Sequence, residues 1–199
     1  MISVESFKAL LQSTPPQELC RKYLFSNYSW MFDQEGGVGL KGDYQDFRKN
    51  MASFIGEPLE NIAVVGSAKY GFSLSPDKNW KPFDDSSDID VVIVSDAFFN
   101  EIWTAYRLAY YNGYLSVYNN YSKDIFKKFV VVHLEQRPEY KSKYLRDIWL
   151  KVTEMQRRVS LEHRISHPIK FRVYSGWGDV EYYHIRSFEY LKENANGTN

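Results

Sequence analysis

The chain is poor in the features that most quickly assign a protein to a class. It has one cysteine, Cys20, in 199 residues, which excludes an internal disulfide and any cysteine-based zinc cluster. No run approaches the roughly 18 apolar residues a membrane-spanning helix needs, so membrane insertion is not expected. The opening Met1-Ile-Ser-Val-Glu-Ser-Phe-Lys8 has no basic stretch followed by an apolar one, so it does not read as a signal peptide. The sequons at Asn27, Asn120 and Asn196 then read as chance matches, and the cytoplasm is the expected location. Surplus charge is missing too: 25 Lys and Arg balance 25 Asp and Glu. Without a global field to draw a polyanion in, any contact with nucleic acid must come from a local basic patch. A long duplex is therefore disfavoured as substrate.

What is present is a globular composition, 44% hydrophobic and 25% charged, sufficient for one domain with a real core. Aromatic residues reach 17%, with 16 tyrosines. Such side chains stack on bases, and they also populate interfaces. Pairing with a second copy or with a partner protein is left open by this composition.

Two short motifs carry the chemistry. Ile62-Ala-Val-Val-Gly66-Ser67 is an apolar strand closed by glycine and serine, and Ser87-Asp88-Ile89-Asp90-Val-Val-Ile-Val94 opens a second strand with two carboxylates. Successive side chains of a strand alternate faces, so Asp88 and Asp90 point the same way. Two such carboxylates repel unless a cation lies between them, and oxygen ligands of this kind suit Mg²⁺ or Mn²⁺. The Gly66–Ser67 turn supplies the complement, since backbone N–H groups next to a glycine can approach a phosphate and a hydroxyl can donate to it. Taken singly, Gly-Ser also fits an ordinary turn and Asp-x-Asp an ordinary cap.

In this order the motifs resemble those of the nucleotidyltransferase superfamily typified by DNA polymerase β. The match runs over about residues 61–95, as Gly66-Ser67-Ala-Lys-Tyr-Gly71 followed by Ser87-Asp88-Ile89-Asp90. It looks most like template-independent members, including small enzymes of toxin–antitoxin and antiviral loci. The resemblance implies an α+β fold, a small mixed β-sheet of nucleotidyltransferase type flanked by helices. It further implies an NTP or dNTP substrate and two ions of Mg²⁺ (or Mn²⁺) held by Asp88 and Asp90. Gly66 and Ser67 would hold phosphates, and Lys69 would add charge near the leaving pyrophosphate. Lys170 or Arg172 would neutralise developing charge. The acceptor hydroxyl would lie on a nucleic-acid 3′ end, including a single strand, on a nucleotide, or on a protein.

The sequence departs from the family pattern twice. The segment Leu74 to Ser87 is long and rich in turn formers, so it reads as an irregular loop beside the site, a lid, a selecting loop or a decorated turn. The family's third carboxylate, on a later strand, has no clear counterpart. Ile169-Lys-Phe171-Arg-Val173-Tyr174 alternates as a strand should, but its polar face carries Lys170, Arg172 and Tyr174. Asp179, Glu181 and Glu135 are the remaining acids near such a position. Their absence from the strand makes a catalytically degenerate nucleotide-binding module the alternative reading.

Around the motifs, residues 1–60 read as a helical segment packed on a core over 61–199, one domain overall. Helices are expected from Ser3 to about Gln12, on to Leu24, and from Asp43 to Ile55, the last stopped by Gly56. Gly36-Gly37-Val-Gly39 reads as a turn. An aromatic helix capped by Asp96 is expected to run to about Asn112, with Phe99, Trp103, Tyr106 and Tyr110 as its core stripe. Residues 124–135 fit strand or buried helix equally. A long helix should span Lys143 to His163, with Ile148, Val152, Met155, Val159 and Glu162 interspersed, and a last helix Val180 to Glu193. Cys20 reads as a packed helix residue. His163 and His167 read as structural, because Pro168 disfavours helix at His167.

Overall fold

The computed structural model describes residues 2–33, 40–135 and 137–196, so the turn expected at Gly36–Gly39 lies outside the described residues. Among these residues four strands form one mixed sheet in the order β1-β2-β4-β3. They are β1 (Ile62–Val65), β2 (Ile89–Val94), β3 (Phe129–Val131) and β4 (Ile169–Tyr174). β1 runs antiparallel to β2, β2 parallel to β4, and β3 antiparallel to β4. Among the described residues, eight α-helices surround it: α1 (Val4–Ser13), α2 (Pro16–Leu24), α3 (Tyr44–Ile55), the single turn α4 (Ser67–Tyr70), α5 (Asp96–Tyr111), α6 (Ser116–Phe126), α7 (Arg146–His163) and α8 (Trp177–Asn196). The fold is α+β, a small mixed sheet flanked by helices.

Alternation along the strands divides the core in two. Val64, Val91, Ile93, Val130, Phe171 and Val173 face one way and are covered by α3, α5, α6 and α7. Ala63, Val65, Val92, Val94, Val131 and Tyr174 face the other, where α1, α2 and α8 bring Phe7, Leu11, Leu19, Leu24, Phe188 and Leu191. The N-terminal helices thus share a core with the sheet and with α8. Asp90, Lys170 and Arg172 fall on this second face by the same alternation.

Local chemistry accounts for most boundaries. The Ser3 hydroxyl accepts from the Ser6 N–H to start α1, the Asp43 carboxylate does so for Asp46 at α3, and Gly56 ends α3 in the left-handed region at φ 83°. α5 corrects two expectations. Its cap is Ser95, in extended conformation with its hydroxyl accepting from Phe98 N–H, and Asp96 is the first helical residue. The buried stripe is accordingly Phe98, Ile102, Ala105, Tyr106 and Ala109, one residue off the Phe99–Trp103–Tyr110 series. Tyr110 is exposed. The ambiguous stretch after Asp124 resolves into the end of α6 and strand β3, hinged by Lys128 at φ 66°. α7 buries Ile148, Val152, Met155, Val159 and His163, and Glu162 lies outside. α8 starts earlier than expected, at Trp177.

Candidate functional site

Where β1 ends and β2 begins, the second face of the sheet is left open as a cleft of about 760 Å³. Its floor is Val65, Gly66, Ser67, Asp88, Asp90, Lys170 and Arg172, its walls the 73–78 segment, the α6–β3 turn and the outer turns of α8. The β1–β2 register sets Val65 opposite Asp90, which brings Gly66 against the carboxylate. A Cβ on Gly66 would lie 3.2 Å from Asp90 Oδ2. Gly66 also takes φ 66°, ψ −150°, a conformation open to glycine alone. Two constraints therefore select this glycine. Four of the five residues singled out by the sequence motifs, Gly66, Ser67, Asp88 and Asp90, meet here.

Lys69 does not join them. Its side chain turns into the protein, 2% exposed, and the ammonium donates to the backbone carbonyls of Ser26, at 2.9 Å, and Tyr28. It also lies 5.0 Å from the Tyr44 ring centroid. Burial, with Arg48 adding to it, pushes its pKa down to about 7. The reason is helical geometry: in a single turn opening at Ser67, the third residue lies about 200° round from the first, so Lys69 points away from the side on which Ser67 lines the cleft. Lys69 ties α4 to the 26–28 segment.

Each carboxylate of the cleft faces a cation from β4. Lys170 stands beside Asp90 in the parallel register and pairs with Asp88. Burial raises the Asp88 carboxyl, but the Lys170 ammonium outweighs it and holds the group below the usual range. Arg172 donates through Nε (3.2 Å) and Nη2 (3.0 Å) to the same oxygen of Asp90, Oδ1. Its Nη1 donates to the Tyr183 phenol at 3.2 Å, and its plane lies 5.5 Å from the Phe129 ring and 5.7 Å from that of Tyr183. Burial works against the charge on Arg172, yet Asp90 and Tyr183 keep it firmly protonated.

Counted by charge, the lining holds Lys78, Lys127, Lys170, Arg172 and Arg186 against Asp88 and Asp90. The excess is positive, so the cleft favours an anion, in a chain whose total charge is zero. The cleft is thus a local basic patch in a chain with no global surplus of charge. Ser67, Ser73, Ser75 and Ser187 add hydroxyls.

The other acids near the later strand stay out of the cleft. Glu135 pairs with Arg137 at 3.5 Å, and Asp179 takes the Ser175 hydroxyl at the start of α8. Among the described residues no three His, Cys, Asp or Glu side chains group as a metal site. The histidines at 163 and 167 are structural, as read: the first contacts Asn50 and the Lys41 carbonyl, the second the Ser87 carbonyl.

Sequence reasoning missed the contribution of α8. Tyr182, Tyr183, His184, Arg186 and Ser187 all line the cleft. Burial and then the nearby Arg172 push the His184 imidazole down to about 3, so it is neutral at ordinary pH. The available signal was the spacing of Tyr182, Arg186 and Tyr190, four residues apart on one helical face. The 74–87 loop is anchored rather than free-standing. Phe72 bridges Pro82, Trp80 packs on Phe7 and Phe72, and Lys78 reaches the cleft.

The chain matches no family model, no curated protein and no solved structure.

Proposed function

We propose that this cleft binds the triphosphate of an NTP or dNTP and that the protein is a metal-dependent, template-independent nucleotidyltransferase. It would move a nucleoside monophosphate to a hydroxyl acceptor. The observation that carries the reading is the meeting of Gly66–Ser67 with Asp88 and Asp90 across antiparallel strands, in a cleft with excess positive charge. β4 lies parallel beside β2, which is compatible with the later strand the resemblance implies, although it carries no acid. An enzyme of this kind fits a place in bacterial antiviral defence, by analogy alone.

The residues fit a hard divalent ion. Asp90 Oδ1 is committed to Arg172, but among the described residues Oδ2 accepts no hydrogen bond. Asp88 is 24% exposed and its partner Lys170 52%, a surface pair worth about 1 kcal/mol or less and readily exchanged. Asp88 and Asp90 would hold the metal, which when bound supplies charge neutralisation at the phosphates and at the attacking oxygen. The chain's own groups do the rest. Ser67 donates to a phosphate oxygen, Arg172 holds Asp90 in place, and Lys170, released from Asp88, stands ready to neutralise a phosphate. His184 is neutral and so able to accept a hydrogen bond from a hydroxyl.

One observation favours the second reading, a nucleotide-binding module without transfer. On β4, where the family places an acid, Lys170 and Arg172 pair with both aspartates. Titration calorimetry with ATP, GTP, CTP, UTP and the dNTPs, with and without Mg²⁺, separates the readings when combined with a pyrophosphate-release assay. Metal-enhanced binding with pyrophosphate release supports the transferase. Binding without release supports the module, and no binding of any nucleotide contradicts both.

A further inference from the structure

The rim of the cleft has a chemistry its floor does not. Tyr182, Arg186 and Tyr190 follow one another at four-residue steps on α8, about 6 Å apart along the axis, and all three line the cleft. The two tyrosines are 68% and 52% exposed. Across from them, the α6–β3 turn presents Phe126, 92% exposed, followed by Lys127. Exposed apolar side chains scattered singly need no explanation, but these three rings line one cleft together with cations. The core does not require them: α8 packs through Val180, Phe188 and Leu191. Their neighbours are cationic: Lys127 follows Phe126, and Arg186 forms an exposed, exchangeable ion pair with Glu189 at 2.6 Å.

Flat apolar faces interleaved with cations are what unpaired bases and their phosphates require. A duplex hides its bases and demands a broad field, which a neutral chain lacks. An acidic peptide would use the cations but leave three aromatic faces in water. We propose that this rim binds single-stranded nucleic acid, with bases stacked on Tyr182, Tyr190 and Phe126 and phosphates on Arg186 and Lys127. It names the acceptor class for the transfer proposed above and rests on that reading for the acceptor role. The binding itself stands on the rim residues alone.

The test is fluorescence anisotropy with labelled oligo(dT) and oligo(U) of about twelve nucleotides, within the range of known single-strand site sizes, and a duplex of the same length. Single strands should bind more tightly than duplex. Tyr182→Ala and Tyr190→Ala should each weaken binding roughly 5- to 150-fold, while the Tyr→Phe variants keep it. Arg186→Ala should flatten the log–log salt dependence by about 0.7. Asp88→Asn should bind the oligonucleotide at least as well as wild type, since one negative charge leaves the cleft, even though transfer is lost. That variant separates the two proposals. Pyrophosphate release with small acceptors but no single-strand binding overturns the rim alone, and tyrosine-dependent binding without nucleotide transfer overturns only the transferase. Equal affinity for duplex, equal capture of a polyglutamate peptide, or affinity unchanged in both alanine variants would overturn the inference.

Discussion

Gly66 and the Asp90 carboxylate decide the local geometry of the cleft floor. Gly66 adopts a backbone conformation that a side chain strains, and its missing Cβ makes room for Asp90 Oδ2. Gly66→Ala should cost about 1–3 kcal/mol in urea unfolding and disturb Asp90 enough to reduce nucleotide binding. Lys69 has a different signature. Its pKa is pushed down to about 7 from 10.5, chiefly by burial, so between these values the unfolded chain binds more protons than the folded one. Stability must then rise with pH through that window. The clean interval is about pH 7 to 8.5, below the ionisation of the unfolded-state Cys20 thiol, which in the folded protein burial pushes up to about 12. There the slope due to Lys69 approaches at most ~1.4 kcal/mol per pH unit. Chemical denaturation across this interval should show the rise in wild type and its loss in Lys69→Met. An unchanged slope in the variant would contradict the assignment of Lys69 as a buried, near-neutral tie.

Elements were legible where sequence chemistry was local. The caps at Ser3 and Asp43, the stop at Gly56 and the alternation in β4 each depend on neighbours within four residues, and each is where it was read. α5 was misread by one position because Ser95 and Asp96 are both good caps. The strand geometry carried on to Ser95 decides between them. Ser95→Ala should therefore destabilise by about 1 kcal/mol, and Asp96→Ala by less, as measured by thermal melts. α6 was not read at all, because its order comes from afar. Glu139, fully buried, accepts from Ser116, Asn120 and Tyr121, and the Tyr121 and Tyr140 hydroxyls are 2.8 Å apart. The partners are separated by about twenty positions, beyond the reach of periodicity. Replacing Glu139 by Ala strands the buried Tyr121 hydroxyl and removes the bonds from the more exposed Ser116 and Asn120, so a loss of about 1–3 kcal/mol is expected in denaturant unfolding. A loss below about 1 kcal/mol would show that the clasp is not what holds α6.

At the scale of the molecule, the sheet separates two tasks. One face carries the larger core under α3, α5, α6 and α7, and the other holds a smaller core and, beyond it, the cleft. The motif half of the site was legible because Gly66, Ser67, Asp88 and Asp90 are close in sequence. The rest was not, because pairing of Lys170 with Asp88 and of Arg172 with Asp90 requires the β2–β4 register, set by a parallel crossover of some eighty residues. The same crossover concentrates positive charge in a neutral chain. The central claim is nucleotide transfer in this cleft. It is tested most directly by incubating wild type and Asp88→Asn with each α-³²P-labelled NTP and dNTP, with Mg²⁺ or Mn²⁺, with and without single-stranded RNA or DNA, and resolving the products on a denaturing gel. Label should attach to polymer or protein in wild type and not in Asp88→Asn, with the two proteins equally folded. Equal labelling by both proteins, or none by wild type with any nucleotide and acceptor, would contradict it.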